Sequence, residues 1–246
     1  MNRLLTASLL IFCSTFIWGE DYSPNDYIEI FSKSSIIQKT DAIQTLEWAG
    51  LSDPKIYDLL EKDLLENYET AESAELIRAL NWVARGLSFS GNEKYIPTLE
   101  AVAKKGVHRN LRKFGTVGLE DLQKYKVWNP VINPNHNNIA AGYPPNQVRF
   151  INMLKSDDYE LIRLAAKRIQ RDQLYDHQYL DVLASVIQNH YQKVDDKLSV
   201  DSVAWAVRAL AGAADPKYKA MIEDIAANAE NKNLRKYASK YLAYYN

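Results

Sequence analysis

Asn110-Leu111-Arg112-Lys113 recurs 123 residues later in the chain, as Asn233-Leu234-Arg235-Lys236. The match extends beyond the tetrapeptide, because twelve of 41 aligned positions are identical between residues 82–122 and 205–245, with no gap. Unrelated segments of ordinary composition share far fewer identities at one fixed offset. The sequence therefore predicts an internal duplication, with the two copies offset by 123 residues.

Apolar residues recur along most of the chain at the i, i+3, i+4, i+7 spacing that is typical of helices. Glycine is sparse, with nine in 246 residues, and no strand-like alternation persists. The predicted fold class is therefore all-α. Helices are expected at roughly 35–49, 54–68, 73–89, 93–105 and 109–125, and again at 158–171, 176–191, 199–212, 215–229 and 232–245.

Residues 160–166 and 232–238 each contain an apolar–Arg pair with alanine three positions after the arginine, whereas Arg112 is followed by Gly115. This pattern resembles the helix openings of HEAT-type repeats, in the armadillo/HEAT class. The resemblance covers nearly all of the chain after residue 19. It implies an α/α superhelix, or solenoid, whose stacked helical units share one continuous core. Its halves would be residues 20–125 and 149–246.

A helical wheel places the two tetrapeptides in equivalent positions on their helices. Each leucine falls on an apolar stripe, and each lysine falls on the opposite, solvent-facing side. The stripes contain Phe114, Gly115, Gly118, Leu122 and Tyr125 in the first copy, and Tyr237, Ala238, Tyr241 and Tyr245 in the second.

The arginine of each tetrapeptide lies in the first turn of its helix, where the helix dipole disfavours a positive charge. We therefore expect a carboxylate to pair with Arg112 and another with Arg235. The acidic residues that recur at the same offset are Glu100 with Glu223 and Asp58 with Asp181.

Residues 1–19 read as a secretory signal peptide. A short positive region, Asn2-Arg3, precedes an apolar run from Leu4 to Ile17 that is too short to span a bilayer. Cys13 is the only cysteine, so the processed chain would contain no disulfide, thiol nucleophile or thiolate metal site. We predict export to the bacterial periplasm, or secretion, and no transmembrane segment in the mature chain.

Tryptophan and arginine recur one turn apart on the less apolar side of two equivalent helices, as Trp82 with Arg85 and Trp205 with Arg208. Two interpretations are open. The arginine stacks on the tryptophan between packed repeats, or the pair lines a partner-binding face, where both residue types are enriched.

The segment 126–148 is rich in proline and asparagine and is predicted to form an ordered loop between the halves. Either it packs across the joint, or it presents Trp128, His136 and Tyr143 in a binding groove.

Features of catalytic and metal sites are absent from the sequence. The four histidines have no carboxylate at a metal-binding spacing, and no nucleophile elbow or phosphate-binding glycine loop occurs. The acidic pairs Asp157-Asp158 and Asp195-Asp196 are explained as helix caps. A net charge of −1 argues against nucleic acid as partner.

We therefore predict a non-enzymatic, HEAT-like scaffold that binds a protein or peptide, without metal or cofactor. The alternatives are an enzyme, such as a lyase, or a small-ligand-processing protein on the same scaffold, and an accessory domain of a larger envelope assembly.

Overall fold

In the computed structural model, which describes residues 21–134 and 145–245, the chain is all-helical and the described residues contain no strand. Three short 3₁₀ turns, Leu46–Trp48, Glu93–Tyr95 and Leu242–Tyr245, extend or precede helices. The helices, in chain order, are α1 (Pro24–Lys33), α2 (Thr40–Thr45), α3 (Pro54–Asn67), α4 (Ala74–Ser88), α5 (Ile96–Lys105), α6 (Arg109–Ile132), α7 (Pro145–Leu154), α8 (Tyr159–Arg171), α9 (His177–His190), α10 (Lys197–Gly212), α11 (Pro216–Asn228) and α12 (Lys232–Tyr241).

Helix starts are set by local chemistry. Asp158 and Asp196 accept backbone N–H bonds at the starts of α8 and α10, which confirms that they are caps. Pro54 and Pro216 occupy the first positions of α3 and α11, where the N–H that proline lacks has no helical partner.

The helices of the first part of the chain, α1–α6, and those of the second part, α7–α12, have matching positions and matching neighbours from α3 and α9 onward. Helix α3 begins at Pro54 and α9 at His177, while α6 begins at Arg109 and α12 at Lys232, so both starts are separated by 123 residues. The pair α3–α4 corresponds to α9–α10, and α5–α6 corresponds to α11–α12, as contacting neighbours. Each part also has its own cluster of buried apolar side chains, although Trp48 and Ile132 belong to the cluster of the second part, and Trp128 contacts both clusters.

Specific side-chain contacts repeat at the same separation. Asp58 accepts hydrogen bonds from Lys94 Nζ at 2.6 Å and from the Tyr95 hydroxyl at 2.8 Å. Asp181 accepts the corresponding bonds from Lys217 at 2.6 Å and from Tyr218 at 2.7 Å. These bonds join α3 to the start of α5, and α9 to the start of α11.

The predicted loop 126–148 is wrong at both ends. Helix α6 continues to Ile132 with Pro130 inside it, and α7 begins at Pro145. The prediction gave too much weight to the clustered prolines and asparagines of this segment, although proline is tolerated in a first turn and removes only one helical bond near a C-terminus. Helix α1, which begins with Pro24 after the cap Ser23, was not among the predicted helices.

A buried asparagine, Asn129, anchors the last turns of α6 next to Pro130. The Asn129 Nδ2 atom, which carries two hydrogens, lies within hydrogen-bond distance of the carbonyl oxygens of Leu51, Phe89 and Ser90, at 3.2, 2.9 and 3.1 Å, and 3.0 Å from the Ser52 hydroxyl. These bonds tie α6 to the turn after α4 and to the residues before α3, so the helix is held where it would otherwise end.

The expected carboxylate partners of Arg112 and Arg235 are also wrong. Arg112 Nη1 donates to the Gly106 carbonyl oxygen at 2.7 Å, and Arg235 Nη1 donates to the Ala229 and Glu230 carbonyl oxygens. Each arginine therefore binds the C-terminal end of the preceding helix, α5 or α11, whose unpaired carbonyls and negative dipole end favour a cation. The prediction considered only the dipole of the arginine's own helix.

The stripe predicted from the wheel is confirmed in α6, where Leu111, Gly115, Gly118, Leu122 and Tyr125 are buried. In α12 it holds for Leu234 and Ala238, whereas Tyr237 is 40% exposed.

Candidate functional site

A cleft of about 570 Å³ lies where the two parts of the chain meet. Its first wall comes from α4, α6 and the turn after α2, and consists of Glu47, Arg85, Phe89, Asp121, Tyr125 and Trp128. The opposite wall is Trp205 of α10 together with one face of α8, which contributes Glu160, Arg163, Leu164, Lys167, Arg168, Gln170 and Arg171.

The sequence of α8 explains why this face is charged. Its buried residues are Leu161, Ile162, Ala165, Ala166 and Ile169, at helical spacing. Arg163, Lys167 and Arg171 are spaced four residues apart, so they share one side of the helix beside that apolar stripe.

Most of the charges of the cleft form ion pairs. Arg85 Nη2 lies 2.7 Å from Glu47 Oε1, and Lys124 Nζ, which is not part of the lining, lies 3.0 Å from Glu160 Oε2. Two further pairs join cleft arginines to carboxylates beyond its lining, Arg163 to Asp201 at 3.2 Å and Arg168 to Asp172 at 2.6 Å. These contacts fix the directions of the side chains that form the walls.

Two carboxyls in the cleft have raised pKa values. Burial raises the pKa of Glu47, against the opposing effect of the Arg85 guanidinium. Burial also raises the pKa of Asp121, against Arg85 and Lys124. Removing water from a carboxyl disfavours its charged form, which is why burial outweighs the nearby cations.

Aromatic rings line the cleft between the charges. The Trp205 ring lies beneath two cations, with Lys167 Nζ 5.0 Å and Arg208 Cζ 4.8 Å from its centroid. Trp128 Nε1 donates to Asp158 Oδ2 at 2.8 Å, which fixes its indole between the two cores. The cleft therefore offers flat apolar surfaces in fixed positions.

The structure brings together three of the seven residues predicted for partner binding, namely Arg85, Trp128 and Trp205. Trp82 and Arg208 are outside the lining. Trp82 packs against the first core with Arg85 Cζ 5.4 Å from its ring, which agrees with the packing interpretation for this pair. His136 and Tyr143 lie outside the described residues.

Sequence reasoning missed Glu47, Asp121 and the charged face of α8. The spacing of Arg163, Lys167 and Arg171 was a visible signal, since three cations follow one side of a predicted helix. Arg168 had no such signal, because its guanidinium stacks 3.9 Å from the ring centroid of Trp48, which is far away in the sequence.

Other features of the described residues bear on function. No group of three or more histidine, cysteine, aspartate or glutamate side chains in residues 21–134 and 145–245 is placed to hold a metal ion. Over the same residues, no helix is long and apolar enough to cross a membrane. Comparisons with protein-family models, with curated proteins and with solved structures found no match for the chain.

Proposed function

We propose that the chain is an exported, non-enzymatic scaffold, a duplicated HEAT-like solenoid that binds a segment of a protein partner in the bacterial cell envelope. The observation that carries this proposal is the cleft between α6, α8 and α10, where tryptophans and arginines line one concave surface. Both residue types are enriched among residues that dominate binding energy.

The repeated contacts support the duplicated solenoid. The Asp58–Lys94–Tyr95 group has a counterpart at the 123-residue offset in Asp181, Lys217 and Tyr218, and the helix neighbours correspond as well. Solenoids present their binding surfaces along stacked helices. A cleft at the joint of two such stacks is a natural place for an extended segment to lie.

The order within the cleft favours binding. Trp128 is fixed by Asp158, and Arg85 by Glu47, so neither needs to be immobilised when a partner arrives. Side chains that are ordered in advance lose less conformational entropy on association. The signal peptide predicted at residues 1–19 supports the envelope location.

Site-specific photo-crosslinking tests the proposed function. A photoreactive amino acid replaces Gln170, which lines the cleft, and in a matched chain it replaces Gln188, which is exposed on α9. Both chains are expressed with their own first nineteen residues in a bacterium that exports them, and crosslinked peptides are identified by mass spectrometry. We expect a defined partner segment from position 170 and none from position 188.

The tryptophans provide the specificity control. Trp205→Ala removes the indole ring from one wall of the cleft, whereas Trp82→Ala removes the ring at the equivalent position outside the cleft. We expect Trp205→Ala to abolish the crosslink from position 170 and Trp82→Ala to retain it. Equal crosslinking from both positions, or no crosslink at position 170 in a folded and exported chain, would refute the proposed function.

One observation favours the enzyme alternative, namely the raised pKa values of Glu47 and Asp121 in a single cleft. Such carboxyls are frequent among catalytic acids and bases. The enzyme alternative requires the captured partner to be chemically changed by the wild-type chain and left intact by Glu47→Gln. A structural role is sufficient to explain the ion pair between Glu47 and Arg85, so we expect the wild-type chain to leave its captured partner chemically unchanged.

A further inference from the structure

The cleft has an uneven distribution of charge. Its lining contains five cationic side chains, which are Arg85, Arg163, Lys167, Arg168 and Arg171, against the carboxylates of Glu47, Asp121 and Glu160. The whole chain has a formal net charge of −1. Because Arg85, Arg163 and Arg168 are paired with Glu47, Asp201 and Asp172, the excess positive charge of the cleft comes from Lys167 and Arg171, and this excess favours anionic ligands.

Two of these cations form no salt bridge in the described part of the chain, although Lys167 interacts electrostatically with Glu47 and Arg171 with Asp172. Lys167 contacts the Trp205 ring and forms no ion pair there, and the same absence of an ion pair holds for Arg171. They stand one helical turn apart on α8, so their Cβ atoms are separated by about 6 Å. Two side chains that are two residues apart in an extended ligand point to the same side and can reach both cations.

The rest of the lining restricts the kind of anion. Glu47, Asp121 and Glu160 face the same cleft and would repel a continuous phosphate backbone, so a nucleic acid fits poorly. A concave cleft also cannot lie flat against lipid headgroups. A peptide fits better, because neutral backbone N–H groups lie between its acidic side chains. These N–H groups can donate hydrogen bonds to the carboxylates of the cleft.

We infer that the cleft binds an acidic segment of a protein partner, in which carboxylates alternate with apolar side chains. The segment's carboxylates pair with Lys167 and Arg171, and its apolar residues pack on Trp128 and Trp205. This inference rests on the proposed function and specifies its ligand.

Two fluorescein-labelled peptides of equal length test the inference by fluorescence anisotropy, one alternating glutamate with leucine and the other alternating lysine with leucine. We expect the full chain to bind the glutamate peptide at least about tenfold more tightly, with an affinity that falls as salt is added. Lys167→Glu/Arg171→Glu should weaken that binding by at least about tenfold, since two attractive contacts become repulsive.

The matched control is Lys113→Glu/Lys236→Glu, which reverses the same amount of charge at exposed positions away from the cleft. It should bind the glutamate peptide within about threefold of wild type, because exposed charges at a distance are largely screened. Equal melting temperatures of the two double variants exclude unfolding as the cause of any loss.

Several results would overturn the inference. These are equal affinity for the two peptides, no binding of either, equal losses in the two double variants, or tighter binding of a single-stranded oligonucleotide or of anionic phosphatidylglycerol vesicles. If inorganic phosphate or acetate displaces the glutamate peptide at the peptide's own concentration, the cleft binds small anions in general and the inference is wrong. Crosslinked segments without acidic residues would refute this inference while leaving the proposed function intact.

Discussion

Replacing Gly115 with alanine tests the close packing of α5 on α6, on which the first half of the fold depends. A Cβ atom at Gly115 would lie 2.6 Å from the Ala103 backbone nitrogen and 2.9 Å from the Leu99 carbonyl oxygen. Both atoms belong to the backbone of α5, so the whole helix must move. At Gly118, the nearest atom is Cδ2 of the Leu99 side chain at 3.1 Å, which can yield by a few tenths of an ångström.

The two substitutions share one favourable contribution, because alanine is better than glycine in a helix by about 1 kcal/mol. Overpacking against backbone typically costs about 1–3 kcal/mol, and a 2.6 Å contact belongs at or above the upper end. We therefore expect Gly115→Ala to lose about 2 kcal/mol of unfolding free energy net. Gly118→Ala should be within about 1 kcal/mol of wild type.

Urea unfolding followed by far-UV circular dichroism measures both variants, and thermal melting provides a second reading. A loss of about 2 kcal/mol corresponds to a fall in Tm of about 4–8 °C for a chain of this size. If Gly115→Ala is as stable as Gly118→Ala, α5 and α6 are not in backbone contact and the packing described for this half is incorrect.

Three further substitutions test other parts of the structure. Asp121→Asn should raise the free energy of unfolding by less than about 1 kcal/mol, since the carboxyl is half exposed. Burial raises the pKa of Asp121, so the advantage of asparagine should vanish below pH 3.8, the ordinary aspartate value, and grow as pH rises through the raised pKa. Measurements of Tm against pH test this expectation. Arg235→Met should cost about 1 kcal/mol in urea unfolding through lost carbonyl bonds, whereas the neighbouring Lys236→Met should change little. Asn129→Asp should lower the free energy of unfolding by at least about 3 kcal/mol, because a carboxylate would face carbonyl oxygens. The exposed Asn233→Asp is the control, and a similar Tm for the two variants would contradict the buried network.

Much of the helical structure was predictable from local pattern, because apolar spacing and caps act within a few residues. Helices α3, α4 and α8–α12 lie close to their predicted positions for this reason. The end of α6 was not predictable in this way. Residues 126–132 remain helical because Asn129 binds carbonyls some 40 to 80 residues away, which is a tertiary effect that overrides local proline content.

The candidate site was predictable only in its residue types. The pattern of tryptophan one turn from arginine identified Trp205 and Arg85 of the cleft. It also selected Trp82, which has the same pattern but packs against the first core outside the cleft. Which of two similar faces lines a cleft depends on the neighbour that packs beside it. That neighbour is α8, and only the folded chain brings its cations to Trp205.

The most direct test of the central claim is a crystal structure of the full chain bound to the partner segment captured from position 170. The account predicts that this segment lies along α8 between Trp128 and Trp205, with its carboxylates on Lys167 and Arg171. A segment bound on any other face, with the cleft still filled by solvent, would contradict it.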